Sequence, residues 1–190
     1  MDQSQLLAEL TSGDDERAEA AAVLLAQIGE EAVPRLTRLL VSKDADRRWW
    51  AVRTLAAMSQ PPANLLAQAL GDPSEEVRAA AALALAAHPV ETVLPQLVRA
   101  LSDEENLVGT LCVNALVSMG KDCVPSLLEA FPRSSLRGRI QIMRTLAAIK
   151  DPRAIAIMLS STEDESAVLN YWARMGLEAL GLEMVYLIPE

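Results

Sequence analysis

Residue types that carry chemistry are scarce in this 190-residue chain, in which His88 is the one histidine and Cys112 and Cys123 are the two cysteines. Two cysteines are too few for a disulfide framework. His88 has no second histidine or cysteine near it in sequence to complete a metal site. The chain also lacks a glycine-rich phosphate loop, a metalloprotease helix and a nucleophile elbow. We therefore expect no catalytic residue, no metal, no cofactor and no enzymatic activity of the chain itself.

Long hydrophobic runs are missing as well. The first ten residues have neither a basic start nor an unbroken apolar stretch, so we expect no secretory signal and a cytoplasmic location. The longest uncharged stretch, residues 54–71, contains Ser59-Gln60-Pro61-Pro62 in its middle. It is therefore interpreted as helix, turn and helix, not as a membrane span.

Positive charge is in short supply, because 17 Lys and Arg residues face 26 Asp and Glu residues and leave a net charge of -9. Such a charge repels nucleic acid and anionic membrane surfaces at the scale of the whole molecule. We expect neither as a partner. Binding of nucleic acid would instead predict strong, salt-dependent retention of DNA or RNA.

A repeat of about 30 residues dominates what is present. Leucine or phenylalanine ends each unit, at Leu10, Leu40, Leu70, Leu101 and Phe131. Within a unit, two apolar helical patterns flank a short turn, and helices this short must stack on neighbouring pairs to bury their apolar faces. Aromatics make up 3% and hydrophobic residues 51% of the chain, which favours an all-α fold. The sequence predicts a solenoid of about six helical hairpins.

Six leucines align the first helix of each hairpin: Leu24, Leu55, Leu85, Leu116, Leu146 and Leu177. The pentapeptide Arg53-Thr54-Leu55-Ala56-Ala57 returns unchanged as Arg144-Thr145-Leu146-Ala147-Ala148. The segment Asp72-Pro73-Ser74-Glu75 predicts a helix start, with Asp72 as the cap, Pro73 in the first helical position and Glu75 closing a capping box.

An uninterrupted repeat predicts one domain over residues 1–190. Residues 1–11 carry the pattern of a second helix alone, so we interpret them as an N-terminal half-repeat. Residues 182–190 form an apolar tail. Two interpretations stay open for it: a cap over the end of the solenoid, or a contact that joins two chains into a homodimer.

Two stretches, Asp72 to Ala82 and Glu31 to Leu36, resemble HEAT-type repeats of the phycobilisome-lyase class. The resemblance covers nearly the whole chain. It implies a right-handed α-α superhelix whose second helices line a concave surface that most often holds another protein. Some members of this class are subunits of enzymes that attach or remove bilin chromophores.

Partner-binding candidates are the residues expected to project from the second helices and one tryptophan from a first helix. They are Arg35, Arg38, Gln68, Gln96, Arg99, Glu129 and Trp49. Exposed Trp and Arg are favoured at the centres of protein interfaces. Helical spacing instead directs Trp50 and Trp172 toward the buried stripe, with Trp49 and Tyr171 nearer its outer edge.

The remaining candidates have simpler explanations. Apolar neighbours favour burial of both cysteines as reduced thiols, and His88 falls at a predicted turn. A Cys-His nucleophile pair would require a cysteine to approach His88 across a repeat boundary. We therefore expect a non-enzymatic scaffold that binds a protein partner on its concave face. The alternative, which depends on the resemblance alone, is a subunit of a bilin lyase-type enzyme.

Overall fold

The computed structural model describes residues 1–182, and every regular element in that range is helical. The all-α, HEAT-like class of repeated helical hairpins is confirmed. By its contacts the chain divides into two compact units, Met1–His88 and the unit that starts at Pro89. A single domain over residues 1–190 stays a prediction.

The first unit contains a lone helix followed by two hairpins and the first helix of a third. Its helices are α1 (Gln3–Leu10), α2 (Asp15–Ile28), α3 (Val33–Leu39), α4 (Ala45–Ala56), α5 (Ala63–Ala69) and α6 (Glu75–Ala87). Helix α1 packs against α2, α2 packs against α4, and α4 packs against α6.

The second unit continues the same alternation. Its helices are α7 (Leu94–Ala100), α8 (Asn106–Met119), α9 (Val124–Ala130), α10 (Leu136–Ile149), α11 (Ile155–Ser161) and α12 (Ala167–Ala179). The first helices α8, α10 and α12 lie side by side, with α10 in contact with both others.

The two helices of a hairpin differ in length, and in two hairpins a glycine ends the first helix. First helices run for 12 to 14 residues, whereas each of the second helices α3, α5, α7, α9 and α11 has seven. Gly29 (φ 71°) and Gly120 (φ 68°) end α2 and α8 with a positive φ, which glycine adopts without steric cost. The chain then enters a short 3₁₀ turn and the next second helix.

Leucines at equivalent positions form the core of each unit. Leu55 and Leu85 are fully buried in the first unit, and Leu116, Leu146 and Leu177 in the second. The alignment is wrong by one residue in the first hairpin, where Leu24 is 43% exposed and Leu25 is buried instead. The run Ala20-Ala21-Ala22-Val23-Leu24-Leu25 fits two helical registers, and packing of α2 against α1 and α4 selects one of them.

The predicted capping box at Asp72 is also wrong. Helix α6 begins at Glu75 with Ser74 as its N-terminal cap residue. The Asp72 carboxylate accepts a hydrogen bond from the backbone N–H of Ser74 at 2.8 Å and pairs with Arg48 of α4. Asp72 pairs with Arg48 instead of capping α6, because an arginine that donates two hydrogen bonds binds a carboxylate more strongly than one further backbone N–H does.

The run Asn106–Arg133 is long and apolar enough to cross a membrane by length and composition. Gly120 interrupts it, however, and ends α8 at Met119. Within its most apolar window, 44% of the residues are buried inside the protein. The core helices of soluble proteins can be equally long and apolar, so this run is only a weak indication of a membrane span.

The expected C-terminal cap or homodimer contact, residues 182–190, lies outside the described residues except for Leu182. The α12 helix is followed by Gly181 at φ 79°, and the Leu182 N–H donates to the Leu177 carbonyl at 2.9 Å. This is the hydrogen bond of a helix-ending Schellman turn.

Candidate functional site

The second helices carry six of the seven predicted partner-binding residues. Arg35 and Arg38 are exposed on α3, Gln68 on α5, Arg99 on α7 and Glu129 on α9. Within residues 1–182, no hydrogen bond or ion pair joins any two of these predicted residues. Glu129 pairs with Arg133 at 3.4 Å, where both side chains are more than 70% exposed. The two groups of second-helix residues belong to different units, and their role in binding stays a prediction.

Gln96 differs from the other five because it is half-buried on α7. Its Oε1 atom is buried and has no hydrogen-bond partner in the described part of the chain. A buried acceptor without a donor costs free energy, so Gln96 is a weaker candidate for an outward contact than Arg99 on the same helix.

Trp49 lies in a cleft between the first helices α2 and α4, not among the second helices. The cleft has a volume of about 660 Å³. Its lining residues are Asp15, Glu16, Glu19, Ala20, Val23, Trp49, Trp50 and Arg53. Trp50 is buried as predicted, whereas Trp49 is half-buried and meets it edge to face with ring centres 4.9 Å apart.

A second cleft, of about 540 Å³, lies between α8, α10 and α12 of the second unit. We call it the Arg144 cleft; its lining residues are Val113, Asn114, Val117, Ser118, Arg144, Ala147, Ala148, Trp172, Met175 and Ala179. The Arg144 guanidinium carbon is 5.7 Å from the centre of the Trp172 ring. Trp172 is half-buried, so it is not the core residue that helical spacing predicts.

Arg53 and Arg144 occupy the same place in the repeated pentapeptide, and each lies over tryptophan. Arg53 is 5.3 Å from the ring centre of Trp49 and also binds Glu19 through two hydrogen bonds of 2.9 Å. Arg144 has no carboxylate within ion-pair distance among residues 1–182. The two arginines are therefore alike in sequence and different in electrostatic surroundings.

The sequence contains the pieces of the Arg144 cleft but not their juxtaposition. Arg53 and Trp49 are four residues apart on one helix, a spacing at which side chains meet. Arg144 and Trp172 are on neighbouring helices, and only packing of α10 against α12 brings them together. The recurrence of both the pentapeptide and the tryptophan column is the signal that could have indicated a second cleft.

The cysteines and the histidine belong to different units. Cys112 and Cys123 are fully buried in the second unit, and burial raises the pKa of Cys112 to about 12 and that of Cys123 to about 11. The Cys123 thiol also donates to the carbonyl of Gly120 at 3.1 Å. His88 is exposed at the end of α6 in the first unit. Thiols with raised pKa values are poor nucleophiles, so neither cysteine is a candidate for covalent chemistry.

Metal-ligating side chains are likewise dispersed, and the described part of the chain contains no group of three or more His, Cys, Asp or Glu residues that could hold an ion. Besides the two clefts on the first helices, the first unit has a third cleft of about 590 Å³ beside α5, which the predicted residue Gln68 lines. The second helices of both units carry exposed polar side chains.

This architecture defines a helical-repeat protein, and comparison with known proteins identifies the class. Residues 62–135 match the family of HEAT repeats. An uncharacterized phycocyanin operon protein Z of Pseudanabaena tenuis is 30% identical over 147 residues, which cover 72% of this chain and 73% of that protein. The chain belongs to the HEAT-like repeat family of the phycobilisome-lyase class.

A relative with a named activity matches a shorter region. A phycocyanobilin lyase subunit beta of a Nostoc species is 32% identical over 100 residues, which cover 52% of this chain and 49% of that subunit. The solved complex of CpcE and CpcF of phycocyanin lyase from a Nostoc species has a chain that superposes with a TM-score of 0.55. The match covers 75% of this chain and 96% of that one at 24% sequence identity, and it supports the fold.

These relatives overturn two expectations from the sequence. The main expectation, a non-enzymatic scaffold, is wrong, because the Nostoc relative is named as a subunit of a lyase and a lyase is an enzyme. The expectation that the chain is not an enzyme is contradicted by the same relative. The repeat pattern predicts how the helices pack, but the same packing occurs in enzyme subunits and in scaffolds, so it does not distinguish the two functions.

Proposed function

We propose that this chain is one subunit of a bilin lyase-type enzyme and that it acts with a second protein to attach or remove a bilin. The observation that carries the proposal is the 32% identity over 100 residues with a phycocyanobilin lyase subunit. The 30% identity over 147 residues with an uncharacterized phycocyanin operon protein supports membership of the same family.

The chemistry of the described residues supports a binding role within that enzyme. Both cysteines are buried, and burial raises the pKa of each thiol far above neutral pH. His88 is exposed and has no acid or thiol partner among the described residues. A subunit of this kind contributes by holding and orienting the chromophore or its acceptor protein, which accelerates a reaction without a nucleophile of its own.

The exposed side chains of the second helices are the proposed contact with a protein partner. Arg35 and Arg38 present two cations on α3, and Arg99 presents one on α7. We expect replacement of all three by alanine to weaken retention of the partner subunit on the immobilised chain. Helicity should not change, because none of the three makes an ion pair within residues 1–182. Equal retention by both forms would place the contact elsewhere.

The function itself is tested by reconstitution. The chain and a candidate partner subunit from the same genome are mixed with phycocyanobilin and an acceptor apoprotein. Attached bilin is then measured as visible absorbance that persists on the acceptor after denaturation. We expect attachment only when both subunits are present. Attachment at the same rate without this chain, or none with every partner encoded beside it, would contradict the proposal.

A homodimer through the C-terminal tail is a separate proposal, which rests on the apolar sequence of residues 182–190. Light scattering of the full chain and of a form that ends at Gly181 tests it. A monomer in both cases would exclude the homodimer.

A further inference from the structure

We propose that the Arg144 cleft binds one end of the bilin, with Arg144 holding a propionate carboxylate and Trp172 stacking against the conjugated rings. This inference rests on the proposed function and gives that function a place on the chain. A bilin is an open chain of four pyrrole-type rings that carries two propionate side chains. It therefore needs a cation and a flat apolar surface next to each other.

The cleft provides both within one unit of the protein. Trp172 from α12 is half-buried, and Met175 on the same helix is 38% exposed. Val117 of α8 and Ala148 of α10 continue the apolar lining. A volume of about 540 Å³ lies within the range of small-molecule sites, which are mostly apolar with a few placed polar groups.

The charge in this cleft is available to a ligand. The Arg144 guanidinium lies 5.7 Å from the Trp172 ring centre, and no carboxylate among residues 1–182 is paired with it. The Trp172 ring holds the Arg144 guanidinium by a cation–π contact, and this contact does not use the N–H donors of the guanidinium. A guanidinium with free donors binds a carboxylate through two parallel hydrogen bonds.

The equivalent cleft of the first unit has the opposite character. Its arginine, Arg53, is already bound to Glu19 through two hydrogen bonds, and Asp15 and Glu16 line the same space. A carboxylate ligand would meet three acids there and no free cation. Of the two clefts, only the one at Arg144 has the charge that a bilin propionate requires.

The polar edge of the Arg144 cleft agrees with this assignment. Asn114 and Ser118 of α8 are exposed along it. The Ser118 hydroxyl donates to the Asn114 carbonyl at 3.0 Å, which leaves its oxygen free to accept. The pyrrole N–H groups and terminal lactam oxygens of a bilin are groups that such side chains can bind.

The test is a binding titration of the full chain with phycocyanobilin, followed by the visible absorbance of the pigment and by tryptophan fluorescence. The variants are Arg144→Ala, Arg144→Lys and the matched control Arg53→Ala, which alters the same position of the same pentapeptide. Circular dichroism establishes that each variant keeps its helicity. The dimethyl ester of phycocyanobilin serves as a ligand without free carboxylates.

We expect Arg144→Ala to weaken binding of the free acid about tenfold, since one charge-assisted pair is lost. Arg144→Lys should lose less, because it keeps the charge but not the two-pronged geometry. Arg53→Ala should bind like the unaltered chain. The ester should bind the unaltered chain and Arg144→Ala with equal, weak affinity.

Three results would overturn the assignment. Equal binding of the free acid by the unaltered chain and by Arg144→Ala would exclude Arg144 as the carboxylate site. No binding of phycocyanobilin by the unaltered chain would exclude the cleft altogether. Loss of the partner subunit by Arg144→Ala, with bilin binding unchanged, would make the cleft a protein contact. The attachment assay does not depend on any of these three results. Failure of this binding site and failure of the proposed function can therefore be distinguished.

Discussion

The guanidinium of Arg48 holds the carboxylate of Asp72 through two parallel hydrogen bonds, Nε to Oδ2 at 2.7 Å and Nη2 to Oδ1 at 2.8 Å. The side chains are 9% and 8% exposed. Arg48 also donates to the carbonyl of Ser42 at 2.9 Å. The pair therefore ties α4 to the turn that precedes α6. A weaker contact of the same kind joins Arg139 to Asp164 at 3.4 Å in the second unit.

Breaking the buried pair should destabilise the first unit. In Arg48→Met, Asp72 loses its bidentate partner while burial still removes it from water, and we expect a loss of about 3 kcal/mol in the free energy of unfolding. Urea denaturation followed by circular dichroism measures the loss. The control is Arg47→Met, because Arg47 is the adjacent residue and its contact with Asp44 at 3.7 Å is about half exposed. We expect the control to cost less than about 0.5 kcal/mol. Similar losses in both variants would show that the buried pair contributes little.

Acid should weaken the second unit through Asp151. Hydrogen bonds from the Arg153 side chain, and then from its backbone N–H, lower the pKa of Asp151 to about 2. An unfolded Asp titrates near pH 4, so the unfolded chain takes up this proton first. The stabilisation is complete above about pH 4 and disappears as the pH falls through about 2.

The variant Asp151→Asn removes that titration. We expect its midpoint of urea unfolding to fall less steeply than that of the unaltered chain between about pH 5 and about pH 2. At near-neutral pH the variant should be the less stable of the two, because the Arg153 contact has lost its charge. Parallel pH profiles for the two proteins would argue against a role for Asp151 in the acid sensitivity.

The two thiols should be unreactive until the chain unfolds. Cys112 and Cys123 are fully buried, and burial raises the pKa of both. Ellman's reagent at mildly alkaline pH is expected to release almost no chromophore from the folded protein. In concentrated guanidinium chloride it should release two equivalents, one for each cysteine of the chain. A thiol that reacts rapidly in the folded state would contradict the packing around it.

A side chain at position 176 should disturb the packing of α12. A Cβ atom on Gly176 would lie 2.6 Å from Cε of Met158 and 3.2 Å from Cβ of Ala147. Met158 is fully buried, so its end has little room to move. We expect Gly176→Ala to cost about 1 to 2 kcal/mol, since overpacking exceeds the gain in helix propensity.

The matched control for that substitution is Gly71→Ala. Its Cβ would meet only the Gln68 carbonyl at 3.5 Å, an ordinary contact. Thermal unfolding of both variants measures the difference. A Gly176→Ala protein as stable as the control would mean that Met158 moves aside at no cost.

Local patterns anticipated most of the helices but not every side-chain partner. The recurring leucines predicted the first helices, and five of the six that align them are fully buried. The exception, Leu24, lies in a run whose apolar residues allow two helical registers. Packing against the neighbouring helices selects the register that buries Leu25. Asp72 was expected to cap α6, but its partner Arg48 lies 24 residues earlier in the chain, beyond the reach of a local motif.

The sequence by itself determined that the chain forms repeated helical hairpins, because an apolar period of about 30 residues can be buried only by stacking such pairs. Its 30% identity over 147 residues with a phycocyanin operon protein also shows which repeat family it belongs to. Only the tertiary structure decided that Arg53 is neutralised by Glu19 whereas Arg144 faces Trp172 without a carboxylate. The two pentapeptides are identical, so the difference comes from the neighbouring helix that each one packs against.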